Sequence, residues 1–133
     1  MKYLAENERY KLYAMDENLY LKDKRKSKIN EYDKIDKYID TFYGEPECGL
    51  ISVNNEYIIA GGEHLSIYFI EKEKMISIED LWTVSIFQLD FQLSTYPYLV
   101  HLIVGDNSEK FKHCELDVQT LKMYCYKCSN DDV

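Results

Sequence analysis

What this sequence lacks narrows it first. No apolar run approaches the ~18 residues that cross a bilayer, and Met1 to Arg9 carry charges where a signal peptide needs its apolar stretch. The expected protein is soluble and cytoplasmic, with no membrane partner, and its four cysteines are expected to be reduced thiols. There is no excess of positive charge: the formal net charge is −8 and the pI about 4.9, which argues against reading a phosphate backbone. The one basic cluster, Lys22 to Lys28, reads as a solvated turn, so no nucleic-acid partner is expected.

Catalytic and cofactor motifs are missing as well. Gly61-Gly62 has neither the following Lys-Ser/Thr pair nor the helix of a phosphate loop, and reads as a bend between strands. The histidines are His64, His101 and His113. His101 sits in a nearly continuous apolar run and is expected to be a buried neutral imidazole, while His64 follows the glycine pair and is expected at the surface. None stands beside a recognisable nucleophile or second base. Cys125-Tyr126-Lys127-Cys128 with His113-Cys114 has the residue types zinc prefers. Residues three apart in a strand point to opposite faces, however, so Cys114 opposite Cys125 is better explained as two packed thiols. The chain is therefore expected to be no enzyme, with no catalytic residues, no cofactor and no metal.

What is present favours β structure. Tyrosine makes up 13 of the 19 aromatic residues, which suits half-buried strand faces and contact surfaces. From Gly49 onward the hydrophobic period is two. Leu50 to Val53 and Glu56 to Ala60 flank an Asn54-Asn55 turn, and Leu65 to Ile70 and Met75 to Ile78 flank Glu71 to Lys74. Thr83 to Leu93 reads as a long strand and Tyr98 to Val104 as a central one. Two more strands follow, at about 110 to 117 and 122 to 128. A faint repeat links Tyr57 to Met75 with His101 to Met123, 44 residues on, each copy reading strand, glycine break, strand, polar turn, strand.

Residues 1 to 44 read differently, with most of the basic residues and no glycine or proline before Gly44. Ile29, Tyr32, Ile35, Ile39 and Phe42 recur at steps of three and four after Ser27, which predicts a helix over 28 to 43. Residues 8 to 22 fit a hairpin about Asp16-Glu17-Asn18 or an amphipathic helix, with a lean to the hairpin. The expected fold is a single α+β domain over 1–133, mainly antiparallel. It has an N-terminal helix-containing segment, 1–44, and a meander or partial-propeller-like sheet of about seven to eight strands over 49–128.

In such a meander the connections sort to two ends. One end collects Glu45, Glu47, Glu63, Glu79, Asp80, Asp106, Glu109, Asp131 and Asp132, while the other is close to neutral. An acidic rim focuses potential toward a basic partner, and Trp82, next to Asp80, can anchor an interface. Glu63, Glu79, Asp80, Trp82, Asp106 and Glu109 are the expected partner-binding residues.

The paired blocks look like blades of a partial β-propeller. In size, acidity and absence of leader and catalytic motifs, the chain also resembles the immunity proteins of bacterial polymorphic toxin systems, including contact-dependent growth inhibition. That resemblance implies a non-enzymatic antitoxin that neutralises a basic toxin domain, in many cases a nuclease, by direct binding. The alternatives are a self-associating structural or adaptor module, and a small zinc-binding domain or enzyme built on His113, Cys114, Cys125 and Cys128.

Overall fold

The computed structural model describes residues 1–105 and 110–126. Twelve strands form three four-stranded antiparallel sheets, each a meander of consecutive strands. The first sheet holds β1 (Lys2–Glu6), β2 (Tyr10–Met15), β3 (Asn18–Asp23) and β4 (Lys37–Thr41). The second holds β5 (Cys48–Ile51), β6 (Tyr57–Gly61), β7 (Leu65–Phe69) and β8 (Lys74–Ile78). The third holds β9 (Thr83–Phe87), β10 (Leu99–Gly105), β11 (Phe111–Asp117) and β12 (Met123–Cys125). The repeated blocks in the sequence fall on β6 to β8 and β10 to β12, the second to fourth strands of their sheets.

The second sheet is the middle layer. Because successive strand residues face opposite sides, Tyr57, Ile59, Leu65 and Ile67 pack against Val100, Leu102, Cys114 and Leu116 of the third sheet. Ile58, Ala60 and Tyr68 pack against Leu12, Leu19, Leu21 and Ile39 of the first. β6 is accordingly buried along its whole length. The leading strands lie together, β1 against β5 and β5 against β9. Gly49 permits this approach: a Cβ there would stand 2.8 Å from Leu12 Cδ2 and 3.0 Å from Leu4 Cβ.

The α+β expectation is overturned. Among the described residues there is no α-helix, only a 3₁₀ turn at Asp90–Gln92, and the strands divide into three sheets rather than one. Residues 24–36 form a loop and 37–41 form β4. The apparent helical stripe splits: Ile29, Tyr32 and Ile35 are exposed, and only Ile39 and Phe42 enter the core. Aspartates take the backbone donors that a helix would use. Asp33 accepts from the N–H groups of Lys28 and Ile35, and Asp36 from that of Asp33.

Asp36 in turn is fixed from below. Lys22 on β3 has a fully buried side chain that donates to Asp36 Oδ2 (2.9 Å), Ser27 Oγ (2.7 Å) and the Glu31 carbonyl (2.7 Å), while Tyr13 and Ser27 also donate to Asp36. Burial disfavours the Asp36 carboxylate, but hydrogen bonds from Ser27, Tyr13, Lys22 and the Asp33 N–H outweigh it and hold the group below its ordinary value.

Other expectations meet a mixed outcome. Residues 8 to 22 do form a hairpin, β2 with β3, and Asn55 takes the positive φ that its turn requires. The long strand expected at 83 to 93 stops at Phe87; beyond it the Gln88 amide donates among Tyr57 Oη and the Pro97 and Leu99 carbonyls, and residues 90–92 form the 3₁₀ turn. Cys114 and Cys125 are opposed in register as expected, yet they form a disulfide, so the expectation of reduced thiols fails at this pair. Two members of the expected zinc set thereby offer no thiolate, and Cys128 lies outside the described residues. No helix among the described residues is long and apolar enough to cross a membrane.

His101 is buried on the outer face of the third sheet. It stacks on Phe87 of β9, and His101 Nδ1 lies 2.8 Å from His113 Nε2 and Nε2 lies 3.0 Å from Gln92 Oε1. Gln92 can only accept at that oxygen, so His101 Nε2 carries the proton and Nδ1 accepts from His113. Burial, then the His113 neighbour, depresses the His101 pKa, against a smaller opposing pull from Glu115. A depressed histidine binds fewer protons folded than unfolded, so its stabilising contribution is full above the unfolded value near 6.5 and declines as pH falls below it. Urea midpoints should fall with acidification through that region, and His101→Gln should flatten the decline. An unchanged slope in the variant would show that this imidazole does not govern the response.

Candidate acidic interface

The meander topology assigns every connection to one end of the stack or the other. At one end lie the β2–β3 turn, the 42–47 connection, the β6–β7 turn and the 79–82 connection. Hydrogen bonds tie them together. The Gly44 N–H donates to Glu17 Oε2 (2.6 Å), the Tyr43 N–H to Glu63 Oε1 (3.0 Å), the Thr83 N–H to the Gly62 carbonyl (2.8 Å) and Trp82 Nε1 to Glu47 Oε2 (3.3 Å). Asp16, Glu17, Asp40, Glu45, Glu47, Glu63, Glu79 and Asp80 therefore share this end, opposed by Lys2 at the start of β1 and Lys110 before β11.

The opposite end carries both signs. Arg9 pairs with Asp23, Lys24 with Glu6 and Lys37 with Glu73. Near it opens a cleft of about 680 Å³ between the first two sheets, lined by Arg9, Lys26 and Lys37 as well as Asp23, Glu71 and Glu73. Its charges largely offset one another, and it does not bear on the acidic end.

No known family, curated protein or solved structure matches this chain.

Of the expected site residues, Glu63, Glu79, Asp80 and Trp82 lie at the acidic end; Asp106 and Glu109 are outside the described residues. Trp82 is 40% exposed. Its ring lies over Gly105, where a Cβ would come within 2.3 Å of Trp82 Cε3, and beside Phe111. A rigid, half-covered indole with its N–H already partnered is preorganised for contact. Tyr43, not expected from sequence, is 88% exposed in the middle of the acids. Asp16, Glu17 and Asp40 are also absent from the expected set: the hairpin about Asp16-Glu17-Asn18 is expected, but 28 to 43 reads as a helix, so nothing in the sequence joins that hairpin's turn to the connections of the later strands.

His64 corrects the expectation of exposure: it is only 4% exposed. Phe42 stacks on its ring at 4.1 Å between centroids; Nε2 lies 2.7 Å from Asp40 Oδ2, and Nδ1 contacts Glu63 Oε1. Burial lowers its pKa, but hydrogen bonds and charge from Asp40 and Glu63 outweigh this and raise it. Glu63 is moved the other way. Burial raises its pKa, and the Tyr43 N–H and His64 bring it below the ordinary value.

Proposed function

We propose that this chain is a non-enzymatic binding protein that neutralises a basic protein partner, a toxin domain in the reading implied by its immunity-protein-like character. The observation that carries the proposal is the convergence of eight carboxylates on one end, with Tyr43 and Trp82 exposed among them. Clustered like charges on neighbouring loops accelerate encounter with an oppositely charged surface, while desolvated aromatics slow dissociation. A cytoplasmic location belongs to the same proposal.

The test starts from capture of the partner out of the native host on the immobilised chain, followed by stopped-flow kinetics of the purified pair. A variant combining Glu45→Lys, Glu47→Lys and Asp80→Asn is expected to associate about tenfold or more slowly at low salt, with a flatter salt dependence. Tyr43→Ala and Trp82→Ala are expected to act on dissociation instead. Equal association rates for the charge variant and the parent would refute the acidic end as the docking surface.

A second reading, self-association, is favoured by the outer face of the first sheet, where Tyr3, Tyr32 and Tyr38 are half-exposed and the last two pack edge-on against Tyr20. Sedimentation over a concentration series separates the two: a salt-insensitive dimer supports this one.

A further inference from the structure

We propose that Glu63, His64 and Glu79 form a binding site for a divalent transition-metal ion of the zinc class, with Asp40 orienting the histidine. The site does not depend on the protein-binding function and needs no partner.

The first ground is donor count. A neutral imidazole has one N–H, yet both ring nitrogens of His64 face carboxylate oxygens, Asp40 Oδ2 and Glu63 Oε1. When Asp40 takes the Nε2 proton, Nδ1 turns a lone pair toward an anionic oxygen, a contact that only a cation between them makes favourable. A proton fits the contact as it stands; a metal ion takes the same place once Glu63 draws back to admit it.

The second ground is Glu79, which a proton on His64 leaves unexplained. Its carboxylate comes within 4.8 Å of the ligand atoms of both Glu63 and His64. Its hydrogen bond is from Ser77 Oγ (2.7 Å), a neutral donor. Among the described residues, no lysine or arginine forms an ion pair with Asp40, Glu63 or Glu79. Three carboxylates thus surround a single imidazole, and a divalent ion offsets the excess.

The third ground is the division of roles. Metal-bound histidines usually donate their second ring N–H to a carboxylate, which fixes the tautomer and ring orientation. The Asp40–His64 bond does this from β4, and Phe42 holds the ring by stacking. Glu79 is exposed and Glu63 partly so, which gives an ion an entry path and leaves both side chains free to adjust around it. Ligand atoms sharing a zinc at about 2.0–2.1 Å stand roughly 3.3 Å apart, so an ion enters as Glu63 draws back slightly from its direct contact with His64 and Glu79 swings in. One imidazole with two carboxylates favours a first-row transition ion over magnesium or calcium, which take oxygen ligands.

The experiment is titration of the full chain, stripped with a chelator, against Zn²⁺ in competition with a chromophoric indicator. One ion per chain is expected to bind, undisturbed by excess Mg²⁺. Glu79→Gln, at an exposed position that does not endanger the fold, should weaken binding at least tenfold. Asp40→Asn should weaken it roughly 10- to 100-fold, His64→Gln should abolish it, and Glu45→Gln should leave it unchanged. Absence of saturable binding would overturn the proposal. So would displacement by Mg²⁺, which would mark a diffuse acidic surface, or binding that survives both Glu79→Gln and His64→Gln, which would place the ion elsewhere.

Discussion

Asp36→Asn is expected to destabilise the protein by about 3–5 kcal/mol, the usual cost of leaving one partner of a buried ion pair uncompensated. The substitution keeps the shape of the side chain and removes its charge. Lys22, whose side chain has no exposed surface, would then retain a buried ammonium with only neutral acceptors, Ser27 Oγ and the Glu31 carbonyl. The effect should spread along the loop, since Asp36 also receives Tyr13, Ser27 and the Asp33 N–H. Tyr13→Phe removes one donor from an acceptor that keeps others, and should cost about 1 kcal/mol. The sign with pH follows from the lowered carboxyl pKa. The Asp36 contribution is complete above the unfolded value near 3.8 and disappears as pH falls through the lower folded value, so Asp36→Asn should lose that acid limb. Urea unfolding of the two variants and the parent decides the matter: an Asp36→Asn cost within about 1 kcal/mol of zero would show that the cluster is not what holds the loop.

The same cluster explains where the sequence misleads. Strands after Gly49 are legible because alternation, turn residues and opposed pairs all agree: Leu65 faces Ile78 and Ile67 faces Ile76 across β7 and β8, as the pattern requires. Over 28 to 43 the apolar spacing imitates a helix, and the opposing signal is tertiary, a lysine on β3 that captures Asp36 from fourteen residues away. No window confined to the segment contains that information. Misreading the first sheet then hides its share of the acidic end. Glu45, Glu47, Glu63, Glu79 and Asp80 could be assigned from connection parity alone, whereas Asp16, Glu17 and Asp40 require residues 37–41 to be recognised as a strand that joins the β2–β3 hairpin to the stack. His64 is obscured for a related reason, because its burial comes from Phe42 and Asp40 on the far side of the sheet junction.

The middle sheet yields the other large expected effect, because adjacent residues of β6 serve different cores. Ile58 belongs to the apolar cluster shared with the first sheet and Ile59 to that shared with the third. Both side chains are fully buried, so truncation to alanine should cost about 2–5 kcal/mol at either position, the transfer term plus the cavity left behind. What distinguishes one cooperative unit from two is which probe responds. Trp82 stands at the entry to the third sheet, where its fluorescence reports on the junction of the second and third sheets. If all three sheets unfold together, Ile58→Ala must move the Trp82 transition as far as it moves the far-ultraviolet dichroism, although Ile58 faces the opposite side of β6. If the first sheet can leave alone, Ile58→Ala will shift the dichroism and leave the Trp82 midpoint where it was, while Ile59→Ala moves both. The distinction matters for the acidic end, since Asp16, Glu17 and Asp40 come from the first sheet and Glu79, Asp80 and Trp82 do not. An interface assembled across both junctions holds its shape only while the stack unfolds as one.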